Sequence, residues 1–556
     1  MQCGHEAVAR GAVSAALPPR GVRHTFGALN MDARRIFEML GAFLLGGGLV
    51  AVAYELGMDA GSRPGGGAAQ SPAAASPESV ESALHIGGGG QGRSDPELAP
   101  STGSDRTASA AVADVGTYVD FPKIYAPATE MDAAALAKFP KHGLVTSGAI
   151  TVRERPELAA RRLGLLRAAT RVRVHEERTY GGGCSRGWRG IFPRGWVCLN
   201  AGLDTGSSPP DDGLLDIGRP DITEAMPYDY WRVSHDTTPV FHRLPSYGEQ
   251  DRADKAGAAW KSEHGRMPMP THPQKRPDDV PAVVKEYLNG GYYVTVASEH
   301  VKSKRHFLRT NRGLYARKYQ MEQRDGSTFR GVLLPSTDAL PVHWIIRELP
   351  LMKRKSPGSG ILDATTQILE RRSRHLFKRT VRVGDQEFYE DENGLLLRAY
   401  AVGKAYKLKR PPGVTSSEHW IHVDLSEQTL VAYIGDRPVF TTIVSTGKEA
   451  GMTPVGVFRI QSKFVATSMR DQPVEDEAYS IEDVPWTQYF HNNVALHGAF
   501  WHGGFGLVRS HGCVNVSPAD ARWLFGFTEP LLPHSWHAVM PGVGPSGQGS
   551  AVVVTP

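Results

Sequence analysis

The chain has 556 residues, more than one hydrophobic core holds, so two to four domains are expected. Its formal net charge of +5 is small for that length, and no run of Lys and Arg interleaved with aromatics marks a nucleic-acid face. The four cysteines, Cys3, Cys184, Cys198 and Cys513, contain no C-x-x-C pair, which argues against a structural zinc module.

Arg34 and Arg35 precede an apolar run from Met39 to Tyr54. That run is shorter than the ~20 residues a spanning helix needs, and suits a signal-peptide core or a short signal anchor. Ala51-Val52-Ala53 offers a small-residue cleavage site. Arg20, Arg23, Arg34 and Arg35 would hold the N-terminus inside the cell. Residues 1–57 therefore read as an export segment, which holds the protein in the inner membrane if it stays uncleaved. Met31 is an alternative start. Residues 58–115 are Gly, Ser, Ala and Pro with few branched or aromatic residues. They bury too little surface to offset ordering entropy and read as a flexible tether.

Across residues 144–204 short strand-like runs alternate with turns. Ala149 to Arg153 and Thr170 to His175 are two such runs, followed by the glycine-rich stretch from Gly181 to Gly195. Cys184 and Cys198 are close enough in sequence to pair in an oxidising compartment. Residues 221–410 are expected to be β-rich, with alternating runs at Tyr228 to Val233, Gly291 to Val296, Lys378 to Val383 and Gln386 to Tyr389. A helix is expected from Thr365 to Phe377.

From Glu418 the alternation sharpens. Strands are expected at Ile421 to Leu425, Gln428 to Tyr433, Val439 to Val444 and Val455 to Ile460, giving a sheet-rich sandwich or barrel over residues 418–541. Residues 542–556 read as a flexible tail. The chemistry sits at His497-Gly498 and at Ser510-His511-Gly512-Cys513-Val514-Asn515. A thiol becomes a nucleophile when an imidazole takes its proton, and histidine can return that proton to a leaving amine. A glycine beside the thiol lets backbone N–H groups approach a substrate carbonyl.

Two resemblances follow. Val152-Arg153, Gly164-Leu165-Leu166 and Gly195-Trp196-Val197 resemble the opening strand, turn and closing strand of bacterial SH3-like domains. This implies a small barrel, with Cys184 and Cys198 stapling a loop to its last strand. Further SH3-like units are expected within 221–410. The His497 and Ser510 to Asn515 pattern resembles the L,D-transpeptidase (YkuD-type) family. It is joined by Val423-Asp424-Leu425, Ser445-Thr446-Gly447-Lys448, Thr453-Pro454-Val455-Gly456-Val457-Phe458, and Pro485-Trp486 with Tyr489-Phe490.

That resemblance implies a mainly β, exported envelope enzyme of the periplasm or cell wall, acting on peptidoglycan stem peptides without metal or cofactor. Cys513 would be the nucleophile and His497 its general base and acid. Gly498 would orient the imidazole through its backbone. His511, Gly512 and the Cys513 N–H would shape an oxyanion hole. Ser510 and Asn515 would brace the loop, and Arg509 would contact a substrate carboxylate. The acceptor is an amine or, in a carboxypeptidase, water. A catalytically silent wall-binding protein is the competing reading. His502 is read as a loop residue outside the motif.

Overall fold

Turn glycines and short β-branched runs dominate this chain, and they produce a mainly β molecule with few helices. The computed structural model describes residues 85–86, 122–123, 125, 131–211, 217–471, 479–542 and 547–556. The apolar run at 39–54 and most of the expected tether lie outside the described residues.

The first unit contains β1 (Lys141–Val145), β2 (Ala149–Arg153), β3 (Arg162–Arg167), β4 (Arg171–Val174), β5 (Trp188–Gly190), β6 (Trp196–Cys198) and β7 (Leu203–Gly206). In β2, Ile150 and Val152 point inward while Ala149 faces solvent, as a half-buried strand requires. A disulfide joins Cys184 to Cys198, with Cα atoms 5.8 Å apart. Buried Trp188 packs beside it.

Two β units occupy the stretch read as 221–410. The second unit has β8 (Asp229–Val233), β9 (Thr238–Phe241), α1 (Tyr247–His264), β10 (Val284–Leu288), β11 (Tyr293–Lys302), β12 (Arg305–Thr310), β13 (Tyr315–Arg317) and β14 (Met321–Arg324). Ser246 and Glu249 form a reciprocal capping box at the start of α1. A short link, β15 (Val332–Leu333), precedes the third unit. That unit has β16 (Val342–Ile345), β17 (Pro350–Arg354), β18 (Leu362–Ile368), β19 (Phe377–Val383), β20 (Gln386–Asp391), β21 (Leu396–Arg398) and β22 (Val402–Ala405). The helix expected from Thr365 to Phe377 does not form. Thr365, Thr366 and Ile368 extend β18, whose partner β17 satisfies its backbone, and Arg372 then turns the chain at φ +69°.

The second and third units close in the same way. Gly313-Leu314 and Gly394-Leu395 open a strand, a 3₁₀ turn and a final strand, with Arg317 and Arg398, then Tyr319 and Tyr400, at matching places. Both glycines have positive φ, +75° and +74°. The Leu314 N–H donates to Thr310 Oγ1 (3.3 Å) and the Leu395 N–H to Asp391 Oδ1 (2.9 Å). Strand β6, the 3₁₀ turn Leu199–Ala201 and β7 close the first unit similarly.

The C-terminal region contains β23 (His419–Asp424), β24 (Thr429–Ile434), β25 (Arg437–Ile443), β26 (Gly456–Arg459), β27 (Ser462–Asp471), β28 (Ser480–His491), β29 (Val494–Gly498), β30 (Val514–Val516), α2 (Pro518–Phe527), β31 (Ala538–Val539) and β32 (Ala551–Thr555). One sheet has the order β15-β25-β24-β23-β32-β26. Facing it across a core that includes Ile421, Phe440, Trp486, Leu496 and Leu524 are β27 to β31. The flexible tail expected at 542–556 is corrected here. Ala551 to Val554 are buried, and β32 runs parallel to β23 and antiparallel to β26. A run of β-branched side chains this apolar gains by sitting between two strands.

The upstream units extend the sheets of this sandwich. Leu165 in β3 pairs with Ala538, Tyr293 in β11 with Ile481, and Val332 in β15 with Thr441.

Candidate active site

Strands β29 and β30 pair in parallel, with His497 opposite Asn515 and Leu496 opposite Val514. Side chains in register on neighbouring strands leave the sheet on one face, and residues two apart on a strand share that face. His497 and Asn515 therefore share one face, and Cys513, immediately before β30, hydrogen-bonds with the backbone of Ala495, two residues before His497. Ser445 makes a reciprocal backbone pair with Asn515 (2.8 Å each way), which fixes β30 from its other side.

The loop before Cys513 is held by short polar side chains. Ser510 Oγ donates to the Cys513 carbonyl (2.6 Å) and accepts from the Gly512 N–H (3.0 Å). Thr453 Oγ1 donates to the Gly512 carbonyl (2.8 Å) and accepts from the Gly447 N–H (2.9 Å). The Ser445 to Lys448 and Thr453 to Phe458 motifs thus fasten the cysteine loop. Gly512 has φ +136°, and a Cβ there would lie 2.7 Å from the Met452 carbonyl oxygen, so no other residue fits.

Cys513 is buried, and among the described residues it is the one free cysteine. Burial pushes its thiol up to about 11, opposed by a hydrogen bond with the Ala495 backbone. Burial likewise lowers His497 to about 4. The resting pair is therefore a neutral thiol and a neutral imidazole. His497 Nδ1 lies 3.4 Å from the Gly498 carbonyl. A proton on Nδ1 satisfies that carbonyl and leaves the Nε2 lone pair free to accept. The Trp501 ring stacks on His497 at 5.6 Å and 29°. Trp501 and Phe500 in turn pack on Tyr293 of the second unit, and Phe500 packs on Tyr230 with ring centroids 4.2 Å apart and the planes tilted by 40°.

The remaining sequence-predicted residues separate. Gly498 packs tightly, its absent Cβ 3.1 Å from Pro485 and 3.2 Å from Pro518. His511 and Arg509 are exposed at the rim. His511 lies parallel to Tyr479 at 5.6 Å. Gly512 shapes the loop, but its N–H is already taken by Ser510.

His502, read as a loop residue outside the motif, does lie in a loop, and its ring meets the Asn515 side chain. Its Nδ1 accepts from the Gly504 N–H (3.1 Å), and its Nε2 lies 3.1 Å from the Asn515 side-chain nitrogen. Burial pushes His502 down to about 3, with Arg509, His497 and Arg371 adding to the shift. No local sequence signal marks this contact, because it joins a loop to a strand through one side chain. Among the described residues no group of three or more His, Cys, Asp or Glu is arranged to hold a metal ion.

Residues 418–554 match the YkuD family model, the L,D-transpeptidase catalytic domain. L,D-transpeptidase 2 of Mycobacterium tuberculosis is 30% identical over 109 residues, which is 18% of this chain and 27% of that protein's length. The Enterococcus faecium L,D-transpeptidase structure is 23% identical over 25% of this chain and 50% of its own, with a TM-score of 0.20. That of Mycobacterium smegmatis is 22% identical over 31% and 72%, with a TM-score of 0.21. The similarity to L,D-transpeptidases is thus confined to the C-terminal segment, residues 418–554, and the chain spans about a quarter of the length of the curated relative it matches.

Proposed function

We propose that the chain is a peptidoglycan L,D-transpeptidase whose nucleophile is Cys513 and whose general base is His497. The observation that supports this reading is the parallel register of β29 and β30, with buried His497 opposite buried Asn515, while buried Cys513 just before β30 bonds with the Ala495 backbone. As the sulfur attacks the carbonyl of the L-centre in the third residue of a donor stem, His497 Nε2 takes the thiol proton. The resulting tetrahedral oxyanion accepts a hydrogen bond from the Cys513 N–H. Collapse breaks the C–N bond to the terminal D-alanine, and His497 returns the proton to its leaving nitrogen. This leaves a thioester. An acceptor amine then attacks it, giving up a proton through His497, and the thiol is regenerated. No net oxidation occurs, and no nucleotide is consumed.

Burial of Cys513 favours a peptide amine over bulk water as acceptor. The three upstream units are proposed to be SH3-like and to hold the enzyme on the wall, and their shared strand–3₁₀–strand closure supports this. The site of action is proposed to be the envelope.

Incubating the full chain with a stem tetrapeptide tests the catalytic reading by intact mass. A covalent adduct with release of D-alanine is expected, followed by peptide dimers. Both must vanish in Cys513→Ala. D-alanine release that persists in that variant would overturn the assignment.

A further inference from the structure

Two guanidinium groups from different parts of the molecule lie against adjacent glycines beside the catalytic face. Gly503 and Gly504 directly follow His502. The Gly504 carbonyl accepts from Ser445 Oγ (3.1 Å), and Ser445 is the backbone partner of Asn515. Where a Cβ on Gly503 would stand, Arg372 Nη1 is 3.3 Å away. Where one on Gly504 would stand, Arg509 Cδ is 2.5 Å away, with Nη1 and Nε at 3.1 and 3.2 Å. The missing side chains let both arginines rest on the loop backbone.

Arg372 is supplied by the third unit. Its turn is fastened by the Arg372 N–H to the Ile345 carbonyl (2.6 Å) and by Arg371. Arg371 donates to Ile346 O and to Phe505 O, both at 3.1 Å. Arg371 is thus spent on holding the third unit against the catalytic loop. Arg372 and Arg509 are not spent in this way. Arg372 Nη1 donates to Ser327 Oγ (3.3 Å). Among the described residues neither arginine has a carboxylate within salt-bridge distance. Glu348, whose Oε1 accepts from the Arg371 N–H (3.2 Å), is the acidic group facing the cluster from that side. Burial lowers Arg371, and the charges of Arg372 and Arg509 lower it further against Glu348. Three like charges at one rim repel unless an anion enters, and a planar guanidinium is well matched to a carboxylate.

We propose that Arg372 and Arg509 form a carboxylate-binding subsite beside the proposed catalytic residues, through which the third unit selects peptide substrates bearing a free carboxylate. This rests on the reading above that the enzyme takes stem peptides. Two carboxylates of a stem peptide have the required chemistry, one on the side chain of the residue under attack and one at the C-terminus.

The test is protection of Cys513 in the full chain against the neutral alkylating agent iodoacetamide, which needs no turnover. Three stem peptides are compared: one with both carboxylates free, one amidated at the side chain, and one amidated at the C-terminus. In the native protein the free peptide should protect at about tenfold lower concentration than one of the two amides, and which amide fails identifies the carboxylate. Within Arg372→Ala and within Arg509→Ala, that ratio between peptides should fall to near one. Arg372→Lys should retain part of it. Equal protection by all three peptides in the native protein would overturn the proposal, as would an undiminished ratio in both alanine variants. Acyl transfer is followed in parallel. A carboxylate preference without transfer would sink the transpeptidase reading while leaving the subsite standing.

Discussion

Arg167 of the first unit and Asp483 of the catalytic domain form a two-bond ion pair, 2.7 and 3.2 Å, across 316 residues of sequence. Asp483 also accepts from Thr295 Oγ1 of the second unit (2.5 Å), and its carbonyl accepts from the Tyr230 hydroxyl (2.7 Å). One buried carboxylate therefore joins three parts of the fold. Burial alone would raise its pKa. The charge and hydrogen bonds of Arg167, then Thr295 and Arg312, overcome that and hold it well below the usual carboxylate range.

Arg167→Ala strands this carboxylate, and should cost about 3–5 kcal/mol in urea unfolding at neutral pH. Because the folded pKa is depressed, the stabilisation is complete above the ordinary value of 3.8 and fades as pH falls below it. A loss under about 1 kcal/mol would show that the pair is solvated and contributes little.

The acylation rate of Cys513 should be level from pH 5 to 9.5. His497 accepts a proton only when neutral, which holds above about 4, and free thiolate forms only near about 11. His497→Gln should slow acylation by about 100- to 10,000-fold across that plateau. A bell centred between pH 6 and 7 would instead reveal a thiolate–imidazolium pair.

Lys463 is fully buried, and its Nζ donates to the carbonyls of Phe525 (2.6 Å) and Thr528 (2.7 Å) at the end of α2. Burial lowers it from 10.5 to about 7. The unfolded chain then binds the extra proton between those values, so stability should rise as pH climbs through that window. Lys463→Met should abolish the rise, measured as urea midpoints at pH 7 and pH 9. A rise that survives the substitution would assign it to another group.

Gly313→Ala and Gly394→Ala should each cost about 1–2 kcal/mol. Neither site has an atom within 3.4 Å of the added methyl, so only the positive φ is penalised. Gly195→Ala should cost more, since Val152 Cγ1 lies 2.4 Å from the new Cβ. Thermal denaturation of the three variants gives the order, and equal losses would contradict it.

The cysteine loop and the strands around it were legible in the sequence because their signals are local: alternation, a proline-glycine turn, and a histidine and a cysteine flanked by glycine. Helix α1 carries a local signal too, Ser246 and Glu249 at capping-box spacing, but the alternating runs on either side of it outweigh that signal. The repeated Gly-Leu, Arg and Tyr positions of the second and third units needed the chain to be compared with itself. Other features depend on distant partners. Ala551 to Thr555 is a strand because β23 lies more than a hundred residues back and offers its edge. His502 matters through Asn515, and Arg372 through Gly503. Arg372 and Gly503 lie far apart in the sequence, and nothing in the 13-residue step from His502 to Asn515 marks that those two side chains meet.

The pairings of Leu165 with Ala538 and of Tyr293 with Ile481 also bear on handling the molecule. A fragment cut at residue 418 would keep the catalytic sandwich but lose the strands that cover its edges there. Bare backbone N–H and C=O groups would then face water along strands rich in apolar side chains, a template for self-association between copies. Such a fragment is expected to clump at concentrations where the uncut chain stays dispersed.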